Sequence, residues 1–537
     1  MICAHKIKNI FKIPIRYNSF SKEITSDVLN DLELINENDY NYEDDDDYSE
    51  DCYDDPDNNI DDTCDIDDND ATEQDTTIQL YEKIFTPKNE FTRFIVKDLA
   101  TYYTSDKHFL RETKTLIGHI KDPNLNINDN HSIIDYNYIK TIDIWNEIKR
   151  DTGFNNKYYY IDWDKWKHLN NSELFMQCMS MYNMFSPLMS LLMPIIILII
   201  PFFIIKLRGL IINSKEYYTI LKTVIQHNSL GKLFTDFTSV SFKQKIYLAV
   251  SAGFYIFSIY QNILTCINFN KNMKKIHEYL FTIKEYIQYT VGKMKMIAHH
   301  TENLQTYSEF NIDVTKYIGL LNTYYKKLEV ICDYKFTFAK LKKIGYVLKI
   351  FYLLHDDEDY TNTMLYSFGI NGYIDCLYSL HTHITNEKIS FATITDNKEE
   401  NKEENKEIER NKATDEVIQH TNFEGLYYGH LINKDYVVNN VDLDKHMLIT
   451  GPNASGKTTI LKSVIINVIF TQQFGCGFYK NCNLNVYDYI HCYLNIPDTS
   501  GRDSLFQAEA RRCKIILDCI KNNPNNTHLC IFDELYS

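Results

Sequence analysis

Met447-Leu448-Ile449-Thr450-Gly451-Pro452-Asn453-Ala454-Ser455-Gly456-Lys457-Thr458-Thr459 decides how the C-terminal part of this chain folds. A short apolar run feeds a loop that begins and ends on glycine, and Ile460 to Ile469 continues as an amphipathic run. The spacing G-x-x-x-x-G-K-[ST] predicts a strand, a phosphate-binding loop and a helix, in that order. Gly451 and Gly456 let the backbone close around an anion. Backbone N–H groups and the new helix N-terminus point at it. The stretch Gly451, Pro452, Asn453, Ala454, Ser455, Gly456, Lys457, Thr458 and Thr459 is therefore the expected ATP-binding segment. Lys457 would reach the β/γ-phosphates, and the Thr458 hydroxyl would ligate Mg²⁺.

Downstream, Leu529-Cys530-Ile531-Phe532 runs into Asp533-Glu534. A buried parallel strand that ends in two carboxylates complements a phosphate loop. Asp533 would hold Mg²⁺ through water, and Glu534 would polarise an attacking water as the catalytic base. Between the two motifs lies Asp498-Thr499-Ser500-Gly501-Arg502-Asp503-Ser504-Leu505-Phe506-Gln507-Ala508-Glu509-Ala510. It reads as a polar turn leading into a helix, with Ser504 as N-cap and Gln507 three residues on.

Together these stretches resemble the MutS family of DNA mismatch repair ATPases. Gly-Pro-Asn-x-x-Gly-Lys-Thr-Thr is common to that family and to transporter-type ATPases. Ser504-Leu505-Phe506-Gln507-Ala508-Glu509 is similar to the MutS-type Ser-Thr-Phe-x-x-Glu signature, and the transporter-type Leu-Ser-Gly-Gly-Gln does not occur. Upstream, Tyr436-Val437-Val438-Asn439 resembles the family's adenine-side segment. The resemblance implies that Tyr436 stacks on adenine with Asn439 beside it. It also implies that Ser504 reaches the γ-phosphate held by an opposite protomer, so that hydrolysis acts as a switch in a dimer with itself or a MutS-like partner. DNA is the implied substrate surface. The match covers about residues 420–537.

The sequence departs from the family in three ways. Its only Phe-x-Glu is Phe532-Asp533-Glu534, so the N-terminal mismatch-reading wedge is expected to be absent. It contains membrane-like stretches. It ends three residues after Glu534, where the family continues with a Gly-Thr turn, further strands, a switch histidine and dimerising helices. The expectation is a truncated or split frame, able to bind ATP and weak in hydrolysis.

The remainder of the chain divides by composition. Between Glu43 and Asp70 there are sixteen Asp/Glu and no Lys/Arg, so most of the net charge of −17 sits there. The rest is near neutral, and the global charge does not argue against a DNA surface. Residues 1–76 are expected to be a disordered acidic tail. Residues 77–183 read as helical and carry Trp145, Trp163 and Trp166, a small core or a membrane-interface belt. Residues 184–270 hold two uncharged stretches, 184–205 and 246–270, long enough to cross a bilayer. The basic residues from Lys206 to Lys245 would hold the intervening loop in the cytoplasm, which conflicts with two spans and an ATPase on the ATP side. Three arrangements remain open: a translocated loop, one span, or none. Residues 271–395 should form long lever- or clamp-like helices, since no proline occurs between Pro201 and Pro452. Residues 396–417 are a low-complexity Asn-Lys-Glu-Glu repeat, and the ATPase occupies 418–537.

The thirteen cysteines contain no C-x-x-C and none at a zinc spacing with histidine, which favours reduced thiols. The expected fold is thus multidomain. A mainly α-helical middle region with membrane helices precedes a C-terminal α/β P-loop ATPase domain of ABC/MutS type, incomplete at its end. The expected function is ATP- and Mg²⁺-dependent DNA binding tied to mismatch repair or recombination. The chain would be membrane-associated, with its ATPase facing the cytoplasm. Two alternatives stand beside it: a membrane-anchored transporter- or motor-like ATPase without a DNA role, and a non-hydrolysing nucleotide-binding scaffold.

Overall fold

A computed structural model of the chain describes residues 4–35, 79–120, 138–150, 152–207, 214–227, 241–331, 343–395, 420–494 and 505–534. The acidic run, the Asn-Lys-Glu-Glu repeat and Ser504 lie outside these residues. The described chain is mostly helical and divides into two compact units. One comprises Met1–Tyr138, Tyr289–Leu321 and Asn362–Ser537, and the other Ile139–Gln288 and Asn322–Thr361.

In chain order the helices are α1 (Ala4–Ile10), α2 (Ser26–Asp31), α3 (Leu80–Phe85), α4 (Glu90–Thr101), α5 (Lys107–His119), α6 (Tyr138–Arg150), α7 (Phe154–Tyr158) and α8 (Glu173–Leu207). They continue with α9 (Ser214–His227), α10 (Phe242–Thr301), α11 (Ser308–Glu329), α12 (Ile344–Asp356), α13 (Glu358–Thr385), α14 (Lys457–Phe474) and α15 (Leu505–Asn522). The proline-free stretch does give long helices, α10 reaching 60 residues.

The first unit corrects the expected disordered tail. Residues 4–35 form α1, the strand β1 (Ser21–Glu23) and α2, and β1 pairs antiparallel with β2 (Tyr102–Thr104). Ile7, Phe11, Val28, Leu29 and Leu32 are all buried. The acidic composition of 43–70 does not extend to these apolar positions, which bury enough surface to order the segment.

The remaining strands of this unit are β3 (Ser390–Phe391), β4 (Thr393–Ile394), β5 (Asn422–Leu426), β6 (Asn439–Asp442), β7 (Cys476–Gly477), β8 (Asn481–Leu484), β9 (Tyr489–Tyr493) and β10 (His528–Phe532). They pair as a four-stranded sheet in the order β4-β8-β5-β6, a β3–β7 pair and a parallel β9–β10 pair. Parallel neighbours require a crossover connection, which here contains α15.

Helix α14 sits at the heart of this unit. Its first turn is open, but every residue from Ser463 to Phe474 is buried. The expected amphipathic run is therefore buried on all sides. That is tolerable because its polar side chains are satisfied. Gln473 donates to the Leu99 and Tyr102 carbonyls at 3.0 and 2.8 Å. Gln472 donates to those of Thr104 and Tyr487 at 3.0 and 2.8 Å. Asn467 accepts from the Phe478 N–H at 2.6 Å.

The second unit has an aromatic core. Phe154 stacks on Tyr160 and His355, Tyr158 meets Phe351 edge-on, and the Tyr160 hydroxyl donates to the Leu348 carbonyl at 2.8 Å. Gly345 lets α12 approach α8: a Cβ there would lie 2.4 Å from the Glu173 carbonyl oxygen. Trp145 joins the core, whereas Trp163 and Trp166 are exposed, so the three tryptophans form no single cluster. Both membrane-like stretches are helical, 184–205 within α8 and 246–270 within α10. Tyr255 donates to the Ser190 carbonyl at 2.9 Å, the Cys266 thiol faces that of Met184 at 3.3 Å, and Asn262 donates to the Ser190 hydroxyl. These contacts pair the two stretches antiparallel. Their outer apolar side chains are open: Leu188, Leu191, Phe254, Ile256 and Phe257 are all at least half exposed.

Candidate nucleotide site

The loop Gly451–Gly456 precedes α14, with Gly456 at the N-cap in the left-handed region (φ 89°). A Cβ at Gly456 would meet nothing within 4 Å, so its glycine serves backbone conformation rather than close packing. Ala454 also has positive φ (61°). Among the described residues no side chain caps the helix, so none of their side-chain oxygens takes up the first-turn N–H groups. Lys457 folds back on its own loop, its Nζ donating to the carbonyls of Gly451 and Pro452 at 2.8 and 3.3 Å.

Strand β10 delivers the carboxylates. Its register on β9 pairs Leu529 with Ile490 and Ile531 with Cys492, and the Asp533 N–H prolongs the ladder to the Tyr493 carbonyl at 2.8 Å. Leu529 and Ile531 are buried, while Cys530 is half-buried and Phe532 exposed. The strand is thus parallel as expected but buried on one face only. At its end the Thr458 Oγ1 donates to Asp533 Oδ2 at 2.5 Å, which joins the helix start to the strand end. Glu534, next in line, is exposed and adopts a left-handed φ of 46°. That conformation costs a non-glycine residue on the order of 1 kcal/mol.

One expectation fails. Met447–Thr450 forms no strand, and Leu448 is 90% exposed. A central strand needs ladder partners on both sides and cover on both faces. Among the described residues β10 pairs only with β9, so these four residues have neither. Tyr436 is also placed differently from a free adenine platform: its ring stacks on Tyr427 at 4.0 Å and 14°. Asn439 opens β6 opposite Leu426, exposed.

Helix α15 is anchored from the N-terminal segment. Arg512 on α15 pairs with Asp27 at 2.6 Å and with the buried Asp31 at 3.1 Å. Burial raises the Asp31 carboxyl above its ordinary range although Arg512 pulls it back. Lys462 on α14 pairs with Glu33 at 2.9 Å. Nothing in the local sequence announces these pairs, since the partners lie more than 400 residues apart.

Sequence reasoning also missed a cluster beneath α15. His491 on β9, His528 on β10 and Cys519 on α15 place their donor atoms within 4.8 Å of one another. The expectation that no cysteine pairs with histidine at a metal spacing looked along the chain, and these three converge only through the β9–β10 register.

A hydroxyl and a carboxylate thus meet where a helix starts and a strand ends. No family model matches the chain. It is similar to the DNA mismatch repair protein Msh3 of Dictyostelium discoideum, 37% identical over 106 residues (19% of this chain, 7% of that protein). MSH3 of Scheffersomyces stipitis is 26% identical over 253 residues (46% of this chain, 21% of that protein). Endonuclease MutS2 of Staphylococcus haemolyticus is 31% identical over 113 residues (20% of this chain, 14% of that protein). The matched stretches span about a fifth or less of these relatives. A MutS-like relationship is supported over part of the chain.

Proposed function

We propose that the chain is a MutS-like nucleotide switch that binds DNA and reads Mg²⁺·ATP through the loop at 451–459. The observation that carries this reading is the Thr458–Asp533 hydrogen bond at the mouth of an uncapped helix. The residues fit the ligands. A hydroxyl and a carboxylate already adjoin where a hard cation would take oxygen donors. The helix start offers N–H groups to phosphate, and Lys457, which among the described residues bonds only to loop carbonyls, can turn to it. Thr458 and Asp533 would hold Mg²⁺, which neutralises phosphate charge when bound. Glu534 is the group that orients and deprotonates water, with Ser504 of a second protomer completing the site. Tyr436, already stacked on Tyr427, offers its other face to adenine. The names of the relatives support a role in mismatch repair or recombination. A fluorescent ATP analogue titrated with and without Mg²⁺ tests the site. Saturable, Mg²⁺-strengthened binding supports it, and binding unaffected by Lys457→Ala refutes it.

A second element of the proposal is membrane attachment through α8 and α10, with the nucleotide site on the cytoplasmic side. It is favoured by the apolar faces left open on both helices while their polar side chains bond to each other. Among the described residues one helix region, within Lys245–Thr301, is long and apolar enough to cross a membrane by length and composition.

A further inference from the structure

Tyr489, His491 and His528 lie on the parallel β9–β10 pair, away from the carboxylate end at Asp533. The register sets Tyr489 beside His528 and His491 beside Cys530, so these four side chains share one face of the pair. Helix α15 crosses that face and contributes Cys519, while Asn523 just beyond its end accepts from the Tyr489 hydroxyl at 3.1 Å.

The two imidazoles meet nitrogen to nitrogen. His491 Nε2 and His528 Nδ1 are 3.1 Å apart, with ring planes only 9° from parallel. The tautomers follow from the other contacts. His528 Nε2 lies 3.0 Å from the Asn523 carbonyl, which can only accept, so Nε2 carries the proton. In that tautomer Nδ1 turns a lone pair towards His491. A backbone carbonyl holding the far N–H is the arrangement that orients metal-ligating histidines.

We propose that His491 Nε2, His528 Nδ1 and Cys519 Sγ form a site for a thiophilic d¹⁰ cation, Zn²⁺ foremost, with water as the fourth ligand. Two nitrogens at about 2.0–2.1 Å from a tetrahedral zinc stand about 3.3 Å apart. The present pair is therefore already near chelating distance and needs its lone pairs swung towards Cys519. On binding, Cys519 releases its thiol proton to solvent, and His491 moves its proton from Nε2 to Nδ1. The donor set is one that zinc and cuprous ions prefer and that Mg²⁺ does not. The partly exposed ligands leave a route of entry. A bound ion would cross-link α15, which follows the Ser504 segment, to the strand that carries Asp533.

The test uses the full chain, tag-free and stripped with chelator, titrated with Co²⁺ and then Zn²⁺. One equivalent of Co²⁺ is expected to produce tetrahedral d–d bands and a thiolate charge-transfer band, and one equivalent of Zn²⁺ to displace both. Cys519→Ser should abolish the charge-transfer band. His528→Asn should lower Zn²⁺ affinity by about tenfold or more. Cys513→Ser on the same helix should leave both unchanged. Circular dichroism of the metal-free proteins separates loss of the site from loss of the fold. The proposal is overturned if one equivalent of Co²⁺ gives no thiolate band in the folded parent. It is equally overturned if the band survives Cys519→Ser.

Discussion

Thr458 and Asp533 are joined by a 2.5 Å hydrogen bond although 75 positions separate them in sequence. The bond requires α14 to start where β10 stops. It therefore ties the open end of the helix to the Asp533 carboxylate, with Glu534 next in line. The chemical proposal depends on this junction.

Glu534→Gln should bind Mg²⁺·ATP with affinity close to the parent's and lose hydrolysis. The amide keeps the side chain's size but cannot take a proton from water. Single-turnover hydrolysis beside equilibrium binding is the measurement, and equal turnover in both proteins removes Glu534 from its role.

Arg512→Ala should destabilise the first unit by about 3 kcal/mol, because it strands the buried Asp31 carboxylate without its cation. Asp31→Asn in the same background should restore much of the loss. Urea unfolding of the two single variants and the double variant measures the coupling, and strictly additive losses would show that the pair is not coupled.

Glu147 accepts from Lys275 and Tyr158 at 2.7 and 2.6 Å and also bonds Tyr279 and Lys157. Burial works to raise its pKa, but these four donors outweigh it and hold the carboxyl down at about 2. A depressed acid stabilises the fold above its unfolded pKa of about 4.3, and that contribution is lost as pH falls towards 2. Acid unfolding of Glu147→Gln should therefore show a shallower decline between pH 4 and 2 than the parent. Superimposable curves would contradict the assignment.

Membrane attachment predicts that the full chain resists alkaline carbonate extraction. Deleting 184–205 should release it, whereas deleting 43–70 should not. A parent that washes off argues against a spanning helix.

Local patterns carried much of this fold. The glycine spacing located the start of α14, the apolar run before Asp533-Glu534 located a parallel strand, and the absence of proline announced α10. What escaped depends on distant partners. Met447–Thr450 has strand-like composition but no ladder beside it. Residues 4–35 looked like part of an acidic tail, yet their apolar side chains bury in the first unit. The Asp31–Arg512 pair and the His491, Cys519 and His528 cluster exist only because β9 and β10 align and α15 returns across them.

The central claim is that nucleotide at the 451–459 loop controls DNA binding. Fluorescence anisotropy of a labelled duplex, titrated at several salt concentrations with and without Mg²⁺·ATP, tests it most directly. The account predicts saturable, salt-sensitive binding whose affinity shifts by at least about fivefold on adding Mg²⁺·ATP, the lower range of an allosteric coupling. Lys457→Ala should keep the DNA binding and lose the shift. No saturable binding, or an equal shift in Lys457→Ala, would contradict the account.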